Sequence, residues 1–120
     1  MTVREIVQAL GLEILAGKEE AEQPVTGGYA SDLLSCVMAG ARAGNIWVTL
    51  QGHPNVAAVA SLLQLAAVIV TEGAPVDPAT LQRAEENRIV LLSTPQDTFT
   101  TVARLAALGV QGSSPDAPKP

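Results

Sequence analysis

Hydroxyl, amide and imidazole groups follow two apolar runs of the chain, and their spacing suits the binding of a small polar ligand. The first group occupies every other position after one run, and the second ends a later run. These residues are Thr49, Gln51, His53, Asn55, Ser93 and Thr94. They predict a polar rim, although N-capping and turn formation favour the same residue types. For Asn55 and Thr94 the capping interpretation is preferred.

A second candidate is the segment Thr26-Gly27-Gly28-Tyr29, which precedes a predicted helix. Backbone amides at the positive end of a helix can converge on an anion. The segment lacks the Gly-Lys-Ser/Thr ending of a phosphate-binding P-loop, and the only lysines are Lys18 and Lys119. Hydrolysis of a nucleoside triphosphate is therefore not expected. The alternative is that the two glycines supply positive φ angles in a tight turn from strand to helix.

His53 is the only histidine and thus the only candidate base of its type. A catalytic triad also needs a nucleophile and an orienting carboxylate, and a metal site needs several ligands. Carboxylates are available in the chain, but no motif brings them to His53; they are Asp32, Glu72, Asp77 and Asp97. We therefore expect no catalytic residue, no metal and no cofactor. A phosphoryl- or acyl-transfer enzyme using His53 with Asp32 or Asp77 is kept as an alternative.

The bulk composition excludes several classes of protein. Hydrophobic residues make up 48% of the 120-residue chain and charged residues 16%, which predicts one compact domain. Aromatic residues are only 2% and the net charge is −5, so neither stacking platforms nor a basic face for nucleic acid is expected. The N-terminal segment has no long apolar run, so no signal peptide or membrane contact is predicted.

Cys36 is the only cysteine, which excludes an intramolecular disulfide and fits a reducing, cytoplasmic location. It lies within an apolar helical pattern, so a small buried thiol is the interpretation that its surroundings favour.

The elements that must position these residues follow from hydrophobic patterning. Apolar runs at 46–50, 67–71 and 89–92 predict strands buried on both faces. Each run is followed by a proline that suits the start of a helix: Pro54, Pro78 and Pro95. Asp77 and Thr94 are predicted N-caps, and Asp97 would complete a capping box with Thr94. The pattern predicts an α/β fold with three layers, in which helices flank a mainly parallel sheet.

Helical spacing of apolar residues places buried stripes on three segments. The stripes are Leu33, Leu34, Val37, Met38 and Ala41; Val56, Val59, Leu62 and Leu63; and Phe99, Val102, Ala103, Leu105 and Ala106. A more polar helix at 78–87 has Leu81 and Ala84 inward. A helix at 3–10, stopped by Gly11, and a small strand at 12–15 come first. We predict a single domain at 1–108 and a disordered tail at 109–120.

The order of these motifs resembles the DRTGG domain family. The Thr-Gly-Gly segment, the "WVTLQ" strand, the His53-x-Asn55 junction and the "LLSTP" strand end occur in succession, and the likeness extends to about residue 108. The family's name-giving Asp-Arg pair is replaced by Pro24-Val25. The resemblance implies a regulatory or dimer-forming α/β domain, similar to those beside CBS domains in pyrophosphatases and in phosphate acetyltransferases. The sequence is also similar to the N-terminal domain of HPr kinase, a domain that lacks that enzyme's catalytic loop.

Together these observations favour a non-enzymatic regulatory or interaction module. We expect a homodimer, because an apolar chain of this size commonly completes its burial through a twofold partner. A small anionic or nucleotide-like ligand is expected at the strand ends. Besides the enzyme already described, a structural accessory subunit of a metabolic complex is an alternative.

Overall fold

The computed structural model describes residues 1–114. It contains five helices and five strands, and a short 3₁₀ helix at Lys18–Glu20. In chain order the elements are α1 (Val3–Leu10), β1 (Glu13–Ala16), β2 (Gly27–Ala30), α2 (Leu34–Gly40), β3 (Asn45–Thr49), α3 (Asn55–Leu63), β4 (Ala67–Val70), α4 (Pro78–Glu86), β5 (Val90–Ser93) and α5 (Thr98–Ala107). Within this part of the chain no helix has the length and apolar character that a membrane span requires.

The strands form one sheet in the order β1-β5-β4-β3-β2. Strands β2 to β5 are parallel to one another, and β1 is antiparallel to β5. Strands β3 and β4 lie inside the sheet, and every residue of both is buried. The predicted α/β fold with a mainly parallel sheet is confirmed. β2 forms one edge of the sheet and was not predicted as a strand.

Helices cover both faces of the sheet and give the predicted three layers. On one face, α2, α3 and α4 pack against strand residues such as Trp47, Val68 and Leu91. On the other face, α1 and α5 pack against the alternate strand residues, including Ile46, Ile69 and Leu92. Three helices therefore cover one face but only two cover the other.

Some predicted features of the helix ends are confirmed, and others are wrong. Gly11 ends α1 in the left-handed conformation at φ 66°, and Pro78 is at the start of α4 after Asp77. Thr94, however, is not the N-cap of α5 and Pro95 does not start this helix, because α5 begins at Thr98. Asp97 is the N-cap, and its carboxylate accepts a hydrogen bond of 2.7 Å from the Thr100 amide.

Several residues of the predicted buried stripes are exposed instead. Val37, Val56, Val59 and Leu105 are buried as predicted. The large residues that contradict the prediction are Leu33 (60% exposed), Met38 (49%), Leu62 (67%), Phe99 (76%) and Val102 (38%). Cys36 is also exposed, so the prediction of a buried thiol is wrong. Each of these helices has a wider apolar surface than the sheet can cover.

The segment after α5 returns to the edge of the sheet. Val110 packs against the core on the α1 and α5 face, and the Gly28 amide donates a hydrogen bond of 2.9 Å to the carbonyl oxygen of Gln111. The rest of the predicted disordered tail, residues 115–120, lies outside the described residues.

Candidate ligand site at the carboxyl edge of the sheet

The four parallel strands end on the same side of the sheet, and most residues of the predicted rim follow these strand ends. The loop after β3 carries Gln51 and His53, and Ser93 and Thr94 close β5. Ligands of open parallel sheets bind outside the carboxyl ends of the strands. This edge is therefore the place to look for a binding site.

The Thr-Gly-Gly segment lies at the opposite end of the strands, where the parallel strands begin. Gly27 and Gly28 are the first residues of β2, and they pair with Asn45 and Ile46 at the start of β3. The predicted turn into a helix is therefore wrong. Because β2 and β3 are parallel, Thr26, Gly27 and Gly28 are separated from His53 and Thr94 by the length of the strands.

Contacts of this segment give it a structural role. The Thr26 hydroxyl donates to the Ala43 carbonyl at 2.8 Å and accepts from the Asn45 amide group at 3.3 Å. A Cβ atom on Gly27 would lie 2.8 Å from the Gln111 carbonyl oxygen, closer than side chains come. Glycine is thus required here so that the segment after α5 can approach the edge strand.

Tyr29 and the pair that replaces Asp-Arg also serve packing. The Tyr29 ring packs against α2, where a Cβ on Gly40 would come within 2.6 Å of it. Pro24 forms an isolated antiparallel bridge with Thr2, and Val25 packs against the core on the α1 and α5 face. The backbone of this pair holds the N-terminus, since the Val25 amide also donates a hydrogen bond of 2.8 Å to the Met1 carbonyl.

Asp32 joins the loops after β2 and β3. One carboxylate oxygen accepts hydrogen bonds from the Thr49 hydroxyl at 2.9 Å and the Leu50 amide at 2.7 Å. The Gln51 side-chain amide donates to the Asp32 carbonyl at 3.4 Å. Thr49 is fully buried, so this carboxylate satisfies a hydroxyl that could not otherwise reach water.

A second group of polar side chains links β4 to the start of α5. The hydroxyls of Thr71 and Thr98 are 2.7 Å apart, and the Thr98 amide donates to a Glu72 carboxylate oxygen at 3.3 Å. Glu72 has a φ of 62°, a left-handed conformation that is strained for a residue with a side chain. Its amide donates to the Gln96 carbonyl at 2.8 Å, and this bond fixes the strained loop against the next one.

His53 and Asn55 are both exposed. The Nδ1 atom of His53 accepts a hydrogen bond of 3.0 Å from the Asn55 amide. Across residues 1–114, no hydrogen bond connects His53 with Asp32 or Asp77. The same part of the chain contains no group of three His, Cys, Asp or Glu side chains arranged to hold a metal ion.

One crevice at this edge lies where the chain changes face. After β4 the chain passes to α4 on one face, and after β5 it passes to α5 on the other, which makes a topological switch point. A cavity of about 360 Å³ opens there, between the two loops and α4. Its lining includes Gly73, Val76, Leu81, Ser93 and Thr94. Its volume is near the lower limit for pockets that bind small molecules.

The electrostatics of this edge are mainly acidic. Asp32, Glu72 and Asp97 are all exposed there. The hydrogen bond from the Thr100 backbone amide lowers the pKa of Asp97 below its ordinary value of 3.8. The Arg104 guanidinium donates a hydrogen bond of 2.9 Å to the Gln96 side chain, in the loop after β5. A ligand with phosphate groups would therefore need a counter-ion or the backbone amides.

Sequence reasoning missed some of the residues that shape the edge. Thr71 and Thr98 were not predicted as polar contacts, and Asp32 was considered as a possible carboxylate partner of His53. One signal was available, since Thr49, Thr71 and Thr94 each stand at or just after the end of an apolar run. The bond between the Thr71 and Thr98 hydroxyls depends on how the loops fold.

The fold and these hydrogen bonds define a class of protein. It is a three-layer α/β domain in which polar side chains at the strand ends, such as Asp32 and Thr98, connect one loop to the next. A family model for the DRTGG domain matches residues 5–108. The chain belongs to the DRTGG domain family. Among curated proteins, none matches it.

Solved structures share this fold. One of them contains the CBS and DRTGG domains of the regulatory region of a Clostridium perfringens pyrophosphatase, complexed with the activator diadenosine tetraphosphate. The TM-score is 0.71 at 20% sequence identity, and the match covers 87% of the present chain. The present chain spans 45% of the length of that one.

Proposed function

We propose that this chain is a non-enzymatic regulatory module that acts as a homodimer and binds a small ligand at the carboxyl edge of its sheet. The observation that carries the proposal is an uncharged apolar surface around edge strand β2, which we call the β2 flank. It consists of the exposed residues Ala30, Leu33, Cys36, Met38, Ala39, Phe99, Val102, Ala103 and Ala106. These residues lie on β2 and on the helices of both faces, and large exposed apolar surfaces are typical of association sites.

The distribution of charge supports association through this side. Helix α2 contains no charged residue, and charges begin only at Asp32 and Arg42, beyond its two ends. The opposite side of the sheet is strongly charged, with Glu19, Glu85 and Arg88 around one depression. Two copies with a net charge of −5 each repel one another unless their contact surface is free of charge.

Light scattering tests the homodimer. Between about 1 and 100 µM, a range suited to micromolar association, the molar mass should rise toward twice the 12.4 kDa of one chain. A constant mass of one chain up to the highest concentration would refute the dimer.

The crevice between the loops after β4 and β5 is the proposed ligand site. Its support is its place at the topological switch point and the presence of Ser93 and Thr94 in its lining. We propose a nucleotide-like anion, because the related regulatory region is complexed with a dinucleotide activator. The acidic surroundings predict that such a ligand binds better with Mg²⁺, which offsets its phosphate charge.

A thermal-shift series with adenine mononucleotides and dinucleotides, each with and without Mg²⁺, tests the ligand. Ligand at about 100 times its dissociation constant adds about 2.7 kcal/mol of stability. Replacing Ser93, which is only partly buried, by Leu would obstruct the crevice and should abolish the shift. The matched control is Ser61→Leu, an exposed position on α3 outside the crevice. No shift in the unmodified chain, or an equal shift in the Ser93→Leu variant, would refute this site.

The same features favour a reducing cytoplasmic location, since the single cysteine is exposed and would be open to oxidation elsewhere.

A further inference from the structure

The face of the sheet with only two helices has an open groove over its edge strand. Helix α5 contacts β3, and beside it the segment after α5 covers only the start of β2, at Gly27 and Gly28. The resulting cavity measures about 410 Å³ and is mainly apolar. Its walls include Gly28, Ala30, Val48, Val102, Ala106 and Val110. A dry cavity of about 150 Å³ already holds a benzene ring, so an aromatic side chain fits this groove.

Helix α5 presents an apolar strip to solvent beside this groove. Phe99, Val102, Ala103 and Ala106 have the spacing i, i+3, i+4 and i+7, which places them on one helical face. All four are exposed, and Phe99 is 76% exposed. We call these residues the α5 strip.

The position of the strip on α5 follows from its neighbours. Val102 and Ala106 belong both to the strip and to the wall of the groove. On the other side of the helix, Arg104 donates hydrogen bonds to the Ala9 and Leu10 carbonyls at the end of α1. The strip therefore lies on the side of α5 that adjoins the groove and faces away from α1.

The strip is complementary to itself. Its centre lies between Val102 and Ala103, so in an antiparallel pair of identical helices each large Phe99 stands opposite the small Ala106 of the other copy. A twofold axis requires this type of reciprocal contact, in which residue i meets residue j and j meets i. The strip contains no charged side chain that would oppose the approach of a second copy.

We infer that α5 of a second copy packs antiparallel against this α5, with Phe99 of each copy inserted into the groove of the other. This inference rests on the proposed homodimer and specifies its contact surface. In this dimer Phe99 makes the main contact, and Ala103 lies next to Ala103 of the other copy at the twofold axis. Buried aromatic anchors in pockets commonly dominate the energy of an interface.

Cysteine cross-linking in the full chain tests the geometry. With Cys36→Ser as background, Ala103→Cys should form a disulfide-linked dimer under mild oxidation. Ala79→Cys, an exposed alanine on α4, is the matched control and should stay monomeric on a non-reducing gel. Equal cross-linking of both variants, or none of Ala103→Cys in a preparation that is dimeric by light scattering, would overturn the inference while leaving the dimer intact.

Sedimentation analysis of Phe99→Ala tests the inserted side chain. Each dimer loses two phenylalanine side chains. Each loss should raise the dissociation constant of the dimer about tenfold, so the two together raise it about a hundredfold. Leu62→Ala removes an equally exposed apolar side chain from α3 and should leave the dissociation constant unchanged. An unmodified chain that is monomeric overturns both the inference and the proposed dimer. A dimer that is weakened equally by both variants, or by neither, overturns the inference alone.

Discussion

Replacement of Gly52 by alanine should destabilise the domain, because Gly52 is where the loop after β3 meets the loop before α4. A Cβ atom at this position would lie 2.0 Å from the Pro75 carbonyl oxygen and 2.9 Å from the Val76 Cα atom. Both are backbone atoms, so a loop has to move by about 1 Å or more to restore ordinary contact. Overpacking of this kind costs about 1–3 kcal/mol.

The same movement disturbs two hydrogen bonds. The Gly52 carbonyl accepts from the Thr80 hydroxyl at 2.6 Å and from the Asp77 amide at 3.1 Å. Thr80 is fully buried, and leaving its hydroxyl without a partner costs about 1–3 kcal/mol. Alanine also lowers the conformational entropy of the unfolded chain, which offsets up to about 1 kcal/mol of this loss. We therefore expect the free energy of unfolding to fall by about 2–4 kcal/mol.

Urea unfolding followed by the fluorescence of Trp47 measures this loss, since Trp47 is the only tryptophan and is fully buried. Gly112→Ala is the matched control, because a Cβ there meets nothing within 4 Å and its effect should stay within about 0.5 kcal/mol. A loss below about 1 kcal/mol for Gly52→Ala would refute the close packing of the two loops.

Three further predictions concern pH, a helix end and a buried hydroxyl. Backbone hydrogen bonds at the helix starts lower the pKa values of Asp97 and Glu5 below 3.8 and 4.5. The stability that these two carboxylates contribute is therefore complete above these values and is lost as pH falls through the lower pKa values of the folded state. Asp97→Ala should reduce the acid dependence of the melting temperature, and an unchanged profile would contradict the cap. Gln64 ends α3 at φ 57°, so Gln64→Gly should stabilise the chain by about 0.5–1 kcal/mol in urea unfolding, and a loss would show that the strain is absent. Thr80→Val should cost about 1–2 kcal/mol, because the Gly52 carbonyl loses its hydroxyl donor, and no loss would show that this hydrogen bond adds nothing to stability.

The strands inside the sheet could be predicted because the sheet buries both of their faces. β3, β4 and β5 are continuous apolar runs, and the predicted and observed bounds differ by only a residue at the ends. β2 could not be recognised, since Gly27, Gly28, Tyr29 and Ala30 have little apolar surface. Its conformation depends on pairing with β3 and on the approach of the segment after α5, and both are tertiary contacts.

Apolar spacing located the helices but could not show which apolar residues the sheet covers. Phe99 and Leu105 both have spacings that suit a buried stripe of α5, yet only Leu105 contacts the core. The difference arises because α5 has a helix on one side only. Similarly, the parallel pairing of β2 with β3 places Gly27 and His53 at opposite edges, and no local pattern contains that information.

Hydrogen–deuterium exchange at two protein concentrations tests most directly the claim that this domain acts as a dimer through the β2 flank. When the concentration rises from about 1 to about 100 µM, spanning micromolar association, amides of β2 and α5 should exchange more slowly, because a second copy covers them. Amides of α4, on the charged side of the molecule, should be unaffected. Exchange that does not depend on concentration, or protection that is confined to α4, would contradict the account.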